Sequence, residues 1–442
     1  MATAFLGMRG TGDWPTNYVP ESWRETLLYE YPNGSMPITG MMSMFKSEPI
    51  PSTKHHWFTY TLPTMSGAVT GVYINVDLST AYVRATHYST GTAGNPGTEG
   101  SVLFVKMALT LAKEFAEGMD VLLKDADHPS VDIVGSVVDA VYNGASSYLA
   151  VKLYEADDND ATPTSYNLST VDTIIKLENS SAQGSALPRS VMYDATEFEN
   201  YTGIQRNPLE LTNTAIATEL RVGDAYKEAK RQCFENHGLG LEKKAIWSIR
   251  WSGMGANGKQ KQTPGGLLWF TKTYASTNVD SYHLNSTYTT QTWLAGGETW
   301  LDTMVAQFFR YAPSDKAIAI CGDGAMLGIQ RLAKNGGVYQ LGEATKSYGI
   351  SVVNWKTFNG TLPLKSHPLF SQLASTRNTM LLYCPQNVRF MPLRGRDTKF
   401  ETDQQARGVD GKVEAYTTEF TFEMRFPNQF MLLEGVGLDS IV

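Results

Sequence analysis

The clearest alternation of apolar and polar residues lies near the end of the chain, between Tyr416 and Phe426. Apolar or aromatic side chains stand at every second position except Thr418, and threonine, glutamate or arginine fills the positions between them. A period of two over about ten residues predicts a long strand with one buried and one exposed face. Pro427 and Asn428 interrupt the pattern before a second apolar run. We therefore predict a β-ribbon that returns to the core.

Three segments have helical spacing instead. Over residues 209–237, apolar side chains recur at steps of three to four residues, and Gly238 is a candidate C-cap, so we predict a long spine helix there. Residues 298–311 carry one wide apolar face and predict a second helix. A third helix, ending near Gly336 and Gly337, is marked by Met326, Ile329, Leu332 and Ala333. Residues 316–440 are predicted to alternate strands with helices, as in a mixed unit.

Residues 57–205 are predicted to be rich in β-structure. Val72, Ile74 and Val76 alternate with polar residues, and residues 137–142 and 148–154 read as the two arms of a hairpin around Asn143 and Gly144. An acidic run follows at residues 157–160. It lacks the glycine and closing glutamate of a calcium loop, so a solvated turn is the better interpretation.

Residues 1–56 are predicted to form an extended arm. Residues 20–29 have the composition of a short helix, but the prolines and glycines that follow oppose regular structure. The apolar residues of this part of the chain have no core of their own: Met36, Ile38, Met41, Met42, Met44 and Phe45. Such an arm either wraps around its own domain or lies on a neighbouring molecule.

The composition indicates a chain that contacts other proteins. Its 442 residues exceed one typical domain, so two or three packed units are expected. Only 18% of the residues are charged, which is low for a monomer of this size. The net charge of −7 excludes a basic footprint over the whole surface, although a local basic patch stays open. No signal peptide or membrane-length apolar run is recognised, so assembly in the cytoplasm is predicted.

The residues that most often carry chemistry are scattered. Cys233, Cys321 and Cys384 are far apart and are predicted to be buried thiols without a disulfide or zinc spacing. His55 and His56 are adjacent, so on a strand they would point to opposite faces. Motifs of zinc proteases, serine hydrolases and paired carboxylates are not found. We therefore assign no catalytic residue, no cofactor-binding residue, no cofactor and no metal ligand.

Two glycine motifs carry weak nucleotide signals. Gly253, Gly258 and Lys259 have the spacing of a phosphate loop, but Gln260 replaces the magnesium-binding hydroxyl and no helix is predicted to start there. The motif from Gly322 to Gly328 follows a predicted strand and precedes a predicted helix. Its third glycine comes one residue late for a dinucleotide site, and Asp323 suits a helix N-cap better.

Three segments, in this order, resemble one known family. The first comprises residues 31–41 and 55–63, and the second comprises residues 201–212 and 263–268. The third comprises residues 363–370 and 388–393 with the closing ribbon at 416–428. Together they resemble the major capsid proteins of tailed bacteriophages (Caudoviricetes) with the HK97 fold, in the branch that has a β-rich insertion near the extended loop.

The resemblance implies an α+β fold with a particular division of the chain. It implies an N-terminal arm at residues 1–56, and an extended β-loop with an inserted β-rich domain at 57–205. A peripheral domain, built on the spine helix at about 209–237, would comprise 206–310 and 396–442. An axial domain would comprise 311–395.

The resemblance also implies a structural function without enzymatic activity. Copies of the chain would self-assemble into hexamers and pentamers of an icosahedral head enclosing double-stranded DNA. Further candidate partners are scaffolding, portal and decoration proteins, with packaged DNA close by without specific recognition and no membrane contact. The chain shows no highly charged helical pro-segment, so a separate scaffold or none is expected. The expected location is the virion, after assembly in the cytoplasm of a bacterial host.

Two alternatives stay open at this stage. One is a nanocompartment shell of the same fold, which would enclose a cargo enzyme instead of a genome. The other is of a different class: an enzyme that binds a nucleotide through Gly322–Gly328 or through the motif ending at Lys259.

Overall fold

The computed structural model describes residues 41–441 except 62, 64, 89–93, 158–166, 182, 185–188, 219–222, 314–315, 337–339, 342–344, 348–349 and 358–359. The chain divides into two compact units. The first comprises residues up to Thr59 together with Glu197–Val442, and the second is Tyr60–Thr196. Both contain β-structure and the first contains the longer helices, so the predicted α+β class is confirmed.

The strands are, in chain order, β1 (Lys46–Ser47), β2 (Lys54–Thr59), β3 (Ser66–Tyr73), β4 (Val102–Met107), β5 (Met119–Lys124), β6 (Asp132–Val141), β7 (Tyr148–Leu153), β8 (Thr173–Asn179), β9 (Thr196–Tyr201), β10 (Gly203–Thr212), β11 (Trp251–Met254), β12 (Gln260–Thr263), β13 (Val279–Ser281), β14 (Ile318–Cys321), β15 (Gln340–Leu341), β16 (Thr345–Ser347), β17 (Ile350–Thr357), β18 (Gly360–Ser366), β19 (Met380–Tyr383), β20 (Val388–Pro392), β21 (Lys399–Glu401), β22 (Gly411–Met424) and β23 (Phe430–Glu434). The helices are α1 (Arg84–His87), α2 (Leu109–Ala112), α3 (Asn213–Ala217), α4 (Ala225–Trp247), α5 (Leu267–Tyr274), α6 (Trp293–Phe309), α7 (Asp323–Gly336) and α8 (Pro368–Gln372).

An eight-stranded mixed sheet has its central strands buried on both faces. Its order is β13-β23-β19-β14-β18-β17-β15, and β16 pairs with β17. Along β14, Ala319 and Cys321 point to a core shared with α6 and α7, whereas Ile318 and Ile320 point to a second core shared with α5. Burial of both faces explains why β14, β19 and β23 are continuous apolar runs without alternation.

A five-stranded sheet is built around β22. The predicted long strand near the end of the chain is therefore confirmed. Its order is β1-β20-β22-β10, and β21 also pairs with β22. The prediction of one exposed face is wrong, because the polar side chains of Thr417, Glu419, Thr421 and Glu423 are buried as well. Residues that are distant in sequence bond to this face, since Arg396 pairs with Glu419 and His55 lies against Glu423.

The predicted spine helix over 209–237 has the wrong boundaries. Residues up to Thr212 belong to β10, which pairs with β22 over its whole length. The long helix is α4, whose N-cap Asp224 accepts hydrogen bonds from the backbone N–H groups of Tyr226 and Lys227. Gly238 is not a C-cap, because α4 continues through it to Trp247. Leu211 lies four residues before Ala215, which is a helical step, but it also lies two residues after Leu209, which is the period of a strand. Pairing with β22 decides in favour of the strand.

The other two predicted helices are confirmed with small changes. Helix α6 starts at Trp293 instead of residue 298, and its Trp300, Leu301, Val305 and Phe308 pack into the core. Helix α7 starts at Asp323, within the glycine motif, and ends at Gly336. The wide apolar face of α6 is therefore the face that covers the eight-stranded sheet.

The described part of the predicted arm packs on its own unit. Met41, Met44 and Phe45 are buried in the core that contains α4 and α5, and β1 pairs in parallel with β20. For residues 41–50 the structure therefore shows an arm that wraps around its own domain, which is one of the two predicted outcomes. The predicted helix at 20–29, together with Met36 and Ile38, lies outside the described residues.

The second unit is a six-stranded closed barrel of order β3-β4-β7-β6-β5-β8 with its own hydrophobic core. The predicted hairpin is confirmed as β6 and β7. The strand predicted to reach Val76 ends at Tyr73. The prediction of a solvated turn is wrong for Asp157. This residue is buried and accepts hydrogen bonds from the Tyr82 hydroxyl and the Leu168 N–H. The remainder of that acidic run lies outside the described residues.

Candidate assembly surfaces

Strands β2 and β9 form a two-stranded ribbon, called ribbon β2–β9 below, which ionic contacts hold in place. Glu199 pairs with both Lys54 and Arg250, and His56 Nδ1 lies 2.6 Å from Glu197 Oε1. The hydrogen bond from Lys54, with Arg250 beside it, lowers the pKa of Glu199. The ribbon therefore joins the rest of its unit through a connected set of charges.

The side of ribbon β2–β9 that faces the five-stranded sheet is buried. The Trp57 Nε1–H donates to the Met424 carbonyl at 3.0 Å, and its ring stacks on Phe198 at 6.1 Å. Next to it, His55 Nε2 lies 2.8 Å from Glu423 Oε2. Burial acts to raise the pKa of Glu423, but hydrogen bonds from His55 and Arg425 outweigh burial and lower it. The indole and the carboxylate fix the ribbon to β22.

The opposite side of ribbon β2–β9 presents an aromatic ring to solvent. The side chain of Phe58 is 67% exposed, although its neighbours Trp57 and Thr59 are buried. A large apolar side chain held on a rigid, anchored strand is a feature of protein–protein contact sites. The ribbon is therefore a candidate assembly surface.

The buried carboxylate of Glu242 on α4 joins the arm to the rest of the unit. It accepts hydrogen bonds from the backbone N–H groups of Met41 at 3.0 Å and Met42 at 3.1 Å. His367 Nε2, just before α8, lies 3.1 Å from the same carboxylate. One side chain thus bonds to groups from two distant parts of the chain, which fixes the place where the arm meets α4.

A polar seam lies between α4 and the five-stranded sheet. His237 Nε2 lies 2.7 Å from the Thr418 hydroxyl, and His237 Nδ1 lies 2.8 Å from Asn207 Oδ1. Gln205 Nε2–H donates to the His237 carbonyl at 2.8 Å, where Gly240 leaves room because a Cβ there would lie 2.4 Å from that nitrogen. Burial, with a smaller effect of Lys244, lowers the pKa of His237. The seam sets the register of α4 on β10 and β22.

Comparison with known protein families identifies the class of protein to which these surfaces belong. The model of the SU10 major capsid protein family matches residues 16–437. The chain belongs to this family. A curated major capsid protein of Pseudomonas phage PaMx41 is 22% identical over 452 residues, covering 98% of this chain and 96% of that one. The chain is therefore a structural subunit of a phage capsid, which associates with itself into the shell of the virion.

Several solved structures are similar to this capsid subunit. A structure from Mycobacterium phage Cain is 10% identical, covers 97% of each chain and has a TM-score of 0.44. The capsid of a native GTA particle is 7% identical, covers 95% of this chain and 96% of that one, and has a TM-score of 0.43. The holo-SrpI encapsulin complex from Synechococcus elongatus is 12% identical, covers 55% and 78%, and has a TM-score of 0.40.

In the capsid subunit, the first glycine motif forms the turn of a hairpin. Gly253 lies on β11, and Lys259 precedes β12. The backbone N–H of Gly255 donates to the Lys259 carbonyl at 2.7 Å, which closes the turn. The helix that a phosphate loop requires does not follow, since β12 and the segment Thr263–Gly266 lead to α5 only at Leu267.

The second glycine motif does connect a strand to a helix, but its glycines serve packing. A Cβ on Gly322 would lie 2.2 Å from the Arg377 carbonyl oxygen, and one on Gly328 would lie 2.5 Å from the Gly437 Cα. Asp323 is the first residue of α7 and pairs bidentately with Arg377, whose hydrogen bonds lower the pKa of the Asp323 carboxyl. The backbone of neighbouring segments thus occupies the space next to these glycines.

The remaining predicted residues are dispersed through the capsid subunit. His55 and His56 contact Glu423 and Glu197, on different strands. The three cysteines are buried free thiols, and burial raises the pKa of the Cys321 thiol. Within the described residues, no three His, Cys, Asp or Glu side chains are grouped to hold a metal ion. No helix of the described chain is long and apolar enough to span a membrane.

Sequence reasoning missed the buried polar anchors. Glu242 lies among the apolar positions of α4, and a carboxylate at a helical core position is the signal that marks it. Gln205 and Asn207 follow the same inward-facing alternation as Leu209 on β10, so a strand assignment would have placed them beside α4.

Proposed function

We propose that this subunit assembles into the hexamers and pentamers of an icosahedral, HK97-like head that encloses double-stranded DNA. The observation that carries the proposal is the anchored ribbon β2–β9, which holds Phe58 rigidly in solvent. Covering an exposed aromatic side chain with another molecule removes apolar surface from water and is therefore favourable. In a shell, the neighbouring copy of the subunit is that molecule.

The division of the chain that we propose follows the family pattern. Residues 1–56 form the N-terminal arm, and 57–205 form the extended loop with the inserted barrel domain. Residues 206–310 with 396–442 form the peripheral domain, which includes α4 and the long strand β22, and 311–395 form the axial domain. The compact unit Tyr60–Thr196 supports an inserted domain within the second of these segments.

We further propose a purely structural role. The glycines of both nucleotide-like motifs are used for packing or for a hairpin turn, which gives a nucleotide no ready-made site. Packaged DNA lies near the shell without specific recognition, consistent with a net charge of −7. Assembly takes place in the cytoplasm of the bacterial host, and scaffolding, portal and decoration proteins are candidate additional partners.

The test is negative-stain electron microscopy of the purified subunit, with sizing by light scattering. We expect closed shells hundreds of ångströms across, which is about the scale that hexamers and pentamers of a closed shell require. Phe58→Asp should reduce the yield of shells without changing the melting temperature of the subunit, whereas Phe58→Leu should assemble. Compact monomers under every assembly condition, including added scaffold, would contradict the proposal.

A nanocompartment shell is the second candidate, because an encapsulin is among the similar solved structures. The same images separate the two, since a nanocompartment is expected to be small and to hold protein. Large shells that contain nucleic acid after expression with the packaging machinery support the phage head.

A further inference from the structure

The hairpin of β11 and β12 is an exposed element that the seam and the ribbon do not explain. Trp251 pairs with Thr263, and Met254 pairs with Gln260, in a two-stranded sheet of its own. The side chains of Trp251 and Met254 are 44% and 74% exposed. The Trp251 ring lies against the Cα position of Gly253, where a Cβ would come within 2.3 Å of it. Trp251 and Met254 therefore lie on opposite faces of the hairpin, and Trp251 shares its face with Lys261, which pairs with Gly253.

The same hairpin is positively charged. Residues 243–279 contain six Lys and Arg residues and no Asp or Glu, although acids make up 44 of the 442 residues of the chain. Arg250 and Lys272 are neutralised by Glu199 and Glu434. Lys259 and Lys261 are exposed, and neither ammonium group forms an ion pair with a described residue. The hairpin therefore presents two uncompensated cations, and Lys261 lies on the same face as the exposed Trp251 ring.

This combination fits a protein partner better than nucleic acid. A phosphate backbone is bound by cations and hydrogen-bond donors and gives little reason for exposed Trp and Met side chains. Tryptophan and methionine are enriched where proteins meet each other, and opposite charges around them steer the encounter. The hairpin is thus suited to an acidic protein surface.

An acidic surface is present on every copy of this chain. Residues 60–196, the barrel unit, contain 16 Asp and Glu against 7 Lys and Arg, a formal charge of −9. The whole chain has a net charge of −7, so the remainder is slightly positive. The negative charge of the subunit is therefore concentrated in its barrel.

Three exposed carboxylates gather at one end of the barrel, at Asp127, Asp132 and Asp172, and we call them the acidic rim. Strand β5 lies between β6 and β8, and its Lys124 pairs with Asp132 on one side and with Thr173 on the other. Asp172 accepts a hydrogen bond from the Ala126 N–H at 3.0 Å, which brings it to the turn that carries Asp127. All three side chains are exposed, so the rim is accessible to a partner.

We propose that the β11–β12 hairpin of one subunit docks on the acidic rim of the barrel of another subunit. Lys259 and Lys261 face the rim carboxylates, and Trp251, which lies on the same face of the hairpin as Lys261, supplies the apolar contact. The inference rests on the proposed shell, because only an assembly places copies beside each other at high local concentration. It assigns a role to the barrel as the receptor of a neighbouring hairpin.

The test uses assembled shells made from a mixture of unlabelled and ¹⁵N-labelled subunits. A zero-length carbodiimide reagent joins ammonium and carboxylate groups in contact, and mass spectrometry identifies the joined peptides. We expect cross-links between Lys259 or Lys261 and the rim, with mixed isotope labels that show two different copies. Shells whose lysine cross-links lead elsewhere, or carry one label only, would overturn the proposal while leaving the proposed shell intact.

Charge reversal provides an independent test. The double variant Lys259→Glu/Lys261→Glu should raise the subunit concentration needed for half-assembly about tenfold, because attractions become repulsions. The double variant Asp127→Lys/Asp132→Lys should restore assembly when combined with it. The control Lys227→Glu/Lys334→Glu changes the charge equally on the exposed surfaces of α4 and α7 and should assemble normally. Failure of the combined variant to assemble would overturn the proposal. Normal assembly of the lysine variant with weaker retention of DNA in filled heads would also overturn it and would assign the hairpin to nucleic acid.

Discussion

The carboxylate of Glu242 and the imidazole Nε2 of His367 lie 3.1 Å apart in the interior, and the Glu242 side chain is fully buried. The same carboxylate accepts the N–H groups of Met41 and Met42, so it joins α4, the segment before α8 and the base of the arm. Because Glu242 lies 201 residues from Met41 and 125 residues from His367 along the chain, this contact forms only when the unit is complete.

Replacing Glu242 tests the strength of this junction. Glu242→Ala leaves two backbone donors and His367 without their acceptor, so we expect a loss of about 2–4 kcal/mol in the free energy of unfolding. Glu242→Gln retains an acceptor and should lose less. Urea denaturation of unassembled subunits measures both. Glu210→Ala, at an exposed position of β10, is the control. A Glu242→Ala variant as stable as this control would contradict the role assigned to the carboxylate.

The stability of the subunit should fall on mild acidification because of His237. Burial lowers the pKa of its folded-state imidazole below the ordinary value of 6.5, so folding favours the neutral ring. That contribution is complete above pH 6.5 and is lost as the pH falls from 6.5 towards the folded-state pKa, by up to about 1.4 kcal/mol per pH unit. Glu199 and Glu423, whose pKa values are also lowered, add a further loss below pH 4.5.

Thermal melts at pH 7.5, 6.5 and 5.5 measure this effect. In His237→Gln, which lacks a titrating group, the decrease in melting temperature between pH 7.5 and 5.5 should be smaller than in the wild type. An identical decrease in both proteins would show that other groups control the acid sensitivity.

Gly328 should be indispensable for the packing of α7. A methyl group there would lie 2.5 Å from the Gly437 Cα, and a backbone cannot move aside as a flexible side chain does. We expect Gly328→Ala to destabilise the subunit by about 1–3 kcal/mol. Thermal melting measures this loss, and Leu327→Ala, on the exposed side of the same helix, should stay close to the wild type. Calorimetric binding of ATP to the wild-type protein, lost in Gly328→Ala, would instead support a nucleotide site.

The barrel should fold by itself. Residues 60–196 contain a closed barrel whose hydrophobic core is drawn from the same segment, and these are the requirements for an independent domain. The excised segment should show a β-type circular dichroism spectrum and one cooperative thermal transition. Val121→Asp, which places a charge in the centre of that core, should abolish the transition. A broad, non-cooperative melt of the unmodified segment would contradict an independent barrel.

Local patterns predicted which type of element forms. The alternation in β22 was sufficient to predict a strand, and the wide apolar stripe of α6 was sufficient to predict a helix. The same patterns failed where a distant segment changed the surroundings. The polar face of β22 is buried because His55 and Arg396 come to it from elsewhere in the chain. Leu211 has a strand spacing to Leu209 and a helical spacing to Ala215, and only the partner strand removes the ambiguity.

The candidate surfaces were still harder to predict. Phe58 and Trp57 are both large aromatic residues, yet Phe58 is exposed and Trp57 is buried, because consecutive residues of a strand face opposite ways. Closure of the barrel depends on the pairing of β3 with β8, whose first residues are more than one hundred positions apart. A sequence pattern carries no information about such a pairing, whereas family resemblance supplied the correct protein class from short ordered motifs.

The route of the chain through ribbon β2–β9 has a consequence for how such subunits diversify. The chain leaves for the barrel from β2 and returns through β9, and the two strands pair with each other. A short loop can join the same two strands, so a subunit without the barrel would still have its sheets, its helices and its ribbon. The barrel is in this sense a separable insertion. Exchanging it would change the chain only between Thr59 and Glu197 and would leave the pairing of β2 with β9 in place.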